Sequence, residues 1–180
     1  MKLHLGCGER YLDGYTHIDI AEFDHIDYKS SVHKLDMIDD NSCELIYASH
    51  VLEYFDTEEA KDVLSEWHRV LIDKGILRLA VPNIEKLIEV YNQTNDIKKI
   101  LGPLYGKWEL NNTSNNIYHK TVYDMKFLST LLTEVGYKNI KTWSWQEELP
   151  KDYDDHSKAY YPHMDFDNGI HISLNIECIK

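Results

Sequence analysis

No run of apolar residues in this 180-residue chain approaches the roughly 20 that a membrane-spanning helix needs. No basic stretch with an apolar run and small residues precedes the first strand-like segment, so no secretory leader is expected. Cysteine is scarce. Cys7, Cys43 and Cys178 are odd in number and scattered, which matches neither a disulfide framework nor a zinc site and fits the reducing cytoplasm. Bases are outnumbered, 19 against 31 acids, for a net charge of −12. The densest basic groups are pairs such as Lys98-Lys99, so neither nucleic acid nor an anionic membrane surface is an expected partner. Internal repeats, low-complexity tracts and linkers are also missing.

What remains is a single globular domain over residues 1–180, with 43% hydrophobic and 12% aromatic residues. Leu3-His4-Leu5 and Thr16 to Ile20 read as short strands, and Glu44 to Ala48 as a buried one. Asp56-Thr57-Glu58-Glu59 supplies a cap and first-turn acids for a helix to about Leu71. Ala60, Val63, Leu64, Trp67, Val70 and Leu71 lie on one face of it. Lys74-Gly75 ends that unit, and Ile76 to Val81 is a strand stopped by Pro82. Val122 to Val135 is a second helix, closed by Gly136. Ile140 to Trp145, with Trp143 and Trp145 packed against the sheet, and Ile170 to Ile179 read as the last two strands, paired as an antiparallel hairpin. The alternation predicts an α/β fold with a mainly parallel sheet and right-handed crossovers.

Ligands of such sheets bind beyond the carboxyl ends of the strands. Gly6 to Gly8, Asp19, Ser49-His50 and Asn83 meet there, and so does the long connection 150–169. Glycines after a first strand let the backbone approach a ligand, and an acid at the tip of the second strand accepts hydrogen bonds from ribose hydroxyls. Together they point to a nucleoside-containing cofactor.

Leu3 to Gly8 is joined by Glu44 to Phe55 and by Glu66-Trp67-His68-Arg69-Val70-Leu71 through Leu77 to Asn83, of which Tyr47 to Phe55 followed by Arg69-Val70-Leu71 is much more specific than the glycines. With Gly14, His17-Ile18-Asp19 and Leu35-Asp36, they make the chain resemble the class I S-adenosylmethionine-dependent methyltransferases, in particular a compact bacterial-type subfamily. The resemblance covers the first half well and Tyr123 to Trp145 more loosely. It implies a Rossmann-like methyltransferase fold, S-adenosylmethionine as cofactor, and methyl transfer to a small polar acceptor such as a sugar-like hydroxyl. It implies that His4, Gly6, Cys7 and Gly8 pass the cofactor's amino-acid portion and that Asp19 and Ile20 meet the ribose. Asp36 and Met37 would meet the adenine, and Ser49 and His50 the methionine portion and transferring methyl.

The chain departs from the family where His4 replaces an acid, where Arg10 replaces a third loop glycine, and where the covering N-terminal helix is missing. Only the residues from Glu9 to Thr16 separate Gly8 from His17, so the first crossover helix is expected to shrink to a turn or two. Cover for the pocket is then expected from a lid-like insertion at 84–120, from the 150–169 loop, or from a second copy of the chain in a homodimer. His50 is the first candidate base for a hydroxyl acceptor, because imidazole titrates near neutrality. Glu53 falls on the same helical face. Asp154 and His163 are further catalytic candidates, His119 is another, and Asp154, His156, Tyr160 and His163 are expected to shape the acceptor site. Asp154, Asp155, Asp165 and Asp167 lack the spacing of a calcium loop, so no metal is expected. The loop 152–167 is expected to be removable without loss of fold. The competing readings are an assembly or binding module that has lost turnover, a different use of the same cofactor such as cleavage, and a nicotinamide-dependent oxidoreductase. The last fits Gly6, Gly8 and Asp19 but not Tyr47 to Phe55.

Overall fold

The computed structural model describes residues 1–109 and 116–180. In chain order the first elements are β1 (Lys2–Leu5), β2 (Thr16–Asp19), β3 (Tyr28–Lys29), β4 (Cys43–Ser49), α1 (Thr57–Val70) and β5 (Leu71–Pro82). Then come α2 (Ile84–Thr94), α3 (Lys98–Tyr105), β6 (Lys107–Glu109) and β7 (Asn116–Tyr118). The chain finishes with α4 (Met125–Val135), β8 (Lys138–Thr142), α5 (Trp145–Glu148), β9 (Tyr160–Tyr161), β10 (Ile170–His171) and β11 (Ser173–Ile179).

Seven strands form one sheet in the order β3-β2-β1-β4-β5-β11-β8. All neighbours run parallel except at β11, which is antiparallel to both β5 and β8. The predicted parallel sheet with a terminal antiparallel pair is therefore what forms, with β11 inserted between β5 and β8.

Period-two alternation sorts the strand residues. Leu3, Leu5, Ile18, Ile46, Ala48, Leu77, Leu79 and Val81 face one side, where they bury Trp67 and Leu64 of α1 and Leu128 and Leu132 of α4. Asp56 caps α1 by accepting from the amides of Glu58 and Glu59 at 3.0 and 2.9 Å, and Glu59 Oε2 accepts from the Asp56 amide at 2.9 Å. Gly136 closes α4 at φ 114°.

The other side is built differently. His4, His17, Tyr47, Arg78 and Ala80 point there, and no helix forms between β1 and β2. The predicted turn or two of helix is missing because the connection is too short, and reverse turns at Cys7–Arg10 and Leu12–Tyr15 take its place. The region 149–158 covers this face instead. Leu149 and Tyr153 pack with Leu12, Tyr47, Ala80 and Trp143. Tyr47 donates its hydroxyl to the Asp155 carboxylate, which also accepts from the Ser157 amide at 2.8 Å. The Lys158 ammonium donates to the Tyr153 carbonyl, and Arg78 pairs with Glu177 and Glu148 at 2.5 and 2.8 Å. Tyr47, Asp155, Lys158 and Arg78 each bring a partner to this face, as burial requires, while His4 Nδ1 is left without one among the described residues. The expectation of a removable 152–167 loop is thus corrected: its first half is core.

Other boundaries shift for local reasons. β5 begins at Leu71, since Leu71 pairs with Cys43 and Lys74 adopts φ 63° to continue past Gly75. α4 starts at Met125 because Asp124 caps it, accepting from the Phe127 amide at 2.6 Å. Trp145 opens α5 and does not alternate with Trp143 on a strand. β3, two residues at the sheet edge, has no apolar pattern to announce it.

Candidate active site

The carboxyl ends of β1, β2 and β4 meet in a cavity of about 420 Å³. Gly6 and Gly8 sit at φ 60° and 56°, in the left-handed region. A Cβ on Gly6 would stand 2.4 Å from a methyl of Val51. The turn is tied down by the Gly6 amide donating to Ile18 O at 2.8 Å and the Gly8 amide donating to Asp19 Oδ2 at 2.8 Å. Asp19 Oδ1 accepts from the Ala21 amide at 2.7 Å. Asp19 therefore shapes the glycine turn and lines the cavity at the same time.

Ser49 and His50 enter from the end of β4. The Ser49 hydroxyl is buried with no partner among the described residues. His50 holds φ 55°, a conformation that costs a non-glycine residue energy and is concentrated at functional sites. Its Nδ1 is 3.1 Å from Glu53 Oε1, and its Nε2 is 3.1 Å from Ser173 Oγ. Glu53 has no exposed side-chain surface. His119, after β7, brings Nε2 to 3.8 Å from the same carboxylate oxygen. His156 lies across the cavity, its ring centroid 5.3 Å from that of His50. Packing around its ring, then His50 and Arg10, hold its pKa below the usual imidazole value although the residue is exposed on one side. These histidines form one wall.

Of the residues expected to bind cofactor, Gly6, Cys7, Gly8, Asp19, Ile20, Ser49 and His50 line the cavity. Burial and then Asp19 push the Cys7 thiol up to about 12, so it is not a thiolate. His4 lies outside the lining, under the glycine turn, with Nε2 3.3 Å from the Tyr153 hydroxyl. Burial, with His17 next, lowers its pKa to about 3. Asp36 and Met37 are exposed outside the cavity, Asp36 paired with Lys34 at 3.1 Å. Ser31 and Val32 line that end instead, because the turn before Leu35 points the acidic run outward. Asp36 and Met37, expected at the adenine, thus stand outside the lining of this cavity.

Asp154 and Tyr160 also miss the cavity. The Asp154 carbonyl accepts from Arg10 Nε at 2.8 Å, and Tyr160 stacks on His171. His163 is exposed and outside the lining. These residues, expected at the acceptor site, stand outside the lining, since the segment that carries them packs against the sheet or turns outward. His156 is the one of that group on the wall.

The insertion 84–120 does reach the pocket. Gly102, Pro103, Gly106, Lys107, Trp108, Ile117 and His119 are all in the lining, and residues 110–115 of that expectation lie outside the described residues. Arg10, Tyr54, Phe55 and Trp108 were not legible as lining residues, although the aromatic content of the insertion was the available signal. Among the described residues no cluster of three or more His, Cys, Asp or Glu is arranged to hold a metal ion, and no helix is long and apolar enough to cross a membrane.

The cavity suits a nucleoside cofactor on two counts: glycines in conformations that expose the backbone, and an orphaned Ser49 hydroxyl at the edge. Comparison with known proteins agrees. No curated protein matches the chain by sequence. Residues 3–79 match the methyltransferase-domain family, and this region carries the glycine turn, Asp19 and Ser49-His50. Among solved structures, an S-adenosylmethionine-dependent methyltransferase of Archaeoglobus fulgidus is similar at 16% identity and TM-score 0.59, over 99% of this chain and 85% of that one. One of Methanosarcina mazei is similar at 16% identity and TM-score 0.59, over 99% and 91%. A Burkholderia thailandensis N1-methyltransferase, solved with 1,6-didemethyltoxoflavin and S-adenosylhomocysteine, is similar at 13% identity and TM-score 0.56, over 99% and 70%. Likeness at that identity shows the fold, and the family match covers the part of the chain from residue 3 to 79. The chain thus has the Rossmann-like fold of the S-adenosylmethionine-dependent methyltransferases, and its first part matches the methyltransferase-domain family.

Proposed function

We propose that the chain methylates a small polar acceptor, a hydroxyl-bearing molecule of sugar size, bound against the histidine wall. One observation carries this reading: the glycine turn and the His50, His119 and His156 wall belong to a single cavity. The cofactor supplies an electrophilic methyl on sulfonium. Gly6, Gly8 and Asp19 orient it, Ser49 offers a hydrogen bond, and Trp108 and Ile117 exclude water. An imidazole of that wall, unprotonated near neutral pH, is the group able to take a proton from the acceptor.

Binding and turnover test different parts of this reading. Calorimetry should detect S-adenosylhomocysteine, and mass spectrometry should find a methylated product when a panel of sugars, phenols and amines is incubated with S-adenosylmethionine. Binding of the cofactor product with no methylated member in any class would favour a module that has lost turnover.

A further inference from the structure

Hydrogen-bond direction decides which histidine of the wall has an unprotonated nitrogen. The Ser157 carbonyl can only accept, and it takes His171 Nε2 at 2.8 Å and Asn175 Nδ2 at 3.0 Å. That fixes the Asn175 amide, whose Oδ1 faces the Ser173 hydroxyl at 2.8 Å. A hydroxyl has one proton, and Asn175 Oδ1 receives it. The Ser173 oxygen then turns a lone pair toward His50 Nε2 at 3.1 Å, so His50 is protonated there. Its Nδ1 faces the buried Glu53 carboxylate. His50 Nε2 is thus committed to Ser173, and its Nδ1 lies 3.1 Å from Glu53 Oε1, an ion-pair contact without hydrogen-bond geometry.

His119 has the opposite arrangement. Its Nδ1 lies 2.9 Å from the Pro103 carbonyl and must carry the proton. Nε2 is left with its lone pair. Gly106 makes room for that nitrogen, because a Cβ there would stand 2.2 Å from it. The ionisable groups facing the ring are Glu53, His50 and Tyr54, the last edge-on with centroids 4.8 Å apart. Burial, the largest influence, keeps the imidazole below its usual pKa and therefore neutral at physiological pH, with Glu53 acting in the other direction.

We infer that His119, through Nε2, is the proton acceptor of the reaction, and that His50, with Nε2–H on Ser173 and Nδ1 beside the Glu53 carboxylate, is a fixed positioning residue in the same wall. This rests on the reading of methyl transfer to an acceptor O–H or N–H. As the acceptor atom bonds to the methyl carbon, its proton passes to His119 Nε2. The carbon–sulfur bond breaks with its electron pair left on sulfur, giving a neutral thioether and an imidazolium. Glu53, 3.8 Å from Nε2, stabilises that imidazolium. The base role expected of His50 from the sequence passes to a residue delivered by the insertion.

Nitrogen-15 NMR of protein labelled at its histidines tests the proton positions without any acceptor. Near neutral pH, His119 should show the neutral Nδ1–H form and His50 a protonated Nε2. A protonated Nε2 on His119, or an unprotonated Nε2 on His50, would overturn the inference. With an acceptor from the panel, His119→Gln should lower turnover by about 10²–10⁴-fold while S-adenosylhomocysteine affinity stays within a few-fold. Wild-type turnover in that variant would also overturn it. If no panel member is methylated, the functional reading fails, and the NMR result still decides the proton positions.

Discussion

The indole edge of Trp108 lies 3.3 Å from the point where a Cβ on Gly8 would stand. The two residues are 100 positions apart by number, and their contact lays the β6–β7 hairpin directly over the glycine turn. The insertion thus covers the glycine turn. Trp108→Ala should raise the dissociation constant of S-adenosylhomocysteine about ten-fold, or ~1.4 kcal/mol, by calorimetry. An unchanged constant would mean that the hairpin does not bear on the bound cofactor.

Asp19 has two tasks, and one substitution separates them. Asp19→Asn keeps an acceptor oxygen for one of the Gly8 and Ala21 amides but removes the charge. Asp19→Ala removes both. Cofactor affinity should fall by about 1.5–3 kcal/mol in the alanine variant and by less in the asparagine variant. Thermal unfolding without ligand should show the same order, because the glycine turn loses its anchor. Equal melting temperatures for wild type and Asp19→Ala would assign the residue to ligand alone.

Tyr153 and His163 lie ten positions apart in one connection and should behave oppositely. Tyr153 is buried against Tyr47 and Trp143, so Tyr153→Ala should cost about 3–5 kcal/mol in urea unfolding. His163 is exposed, and His163→Ala should stay within about 0.5 kcal/mol and leave methyl transfer intact. Loss of turnover in His163→Ala would restore it to the acceptor site.

His4 makes the fold acid-sensitive. Its folded pKa of about 3 lies below its usual 6.5, so at pH values between the two the unfolded chain binds a proton that the native state refuses. Stability is fully present above the usual value and is lost as pH falls through this window, by about 1.4 kcal/mol per pH unit from this residue. Urea midpoints measured from neutral pH down to about pH 4 should decline, and His4→Gln should decline less steeply. Parallel slopes would show that His4 is not the group responsible.

Local signals carried the first half of the molecule. The Asp56 cap with Glu59, the helical period of α1 and the apolar run of β4 each act within a few residues, so they could be read directly from the chain. Gly6, Gly8, Asp19, Ser49 and His50 followed because strand ends converge at one edge. The failures are all tertiary. Asp36 has the right composition for an adenine contact, but the turn before it faces solvent. Tyr153 reads as loop, and only the helix-free face beneath it explains its burial. His119 owes its place to a pairing between β6 and β7 and to the missing side chain at Gly106, which no periodicity encodes.

The seat of β11 between β5 and β8 also dictates an order of events during folding. Ser173 pairs with Pro82 and Ile179 with Ile76, so one flank of β5 keeps its amides and carbonyls unpaired until residues about a hundred positions later arrive. β8 cannot join the sheet first, because among the described residues its one ladder in the sheet is to β11. During synthesis the first five strands would therefore wait with an open apolar edge, the kind of surface that recruits a chaperone or a neighbouring nascent chain.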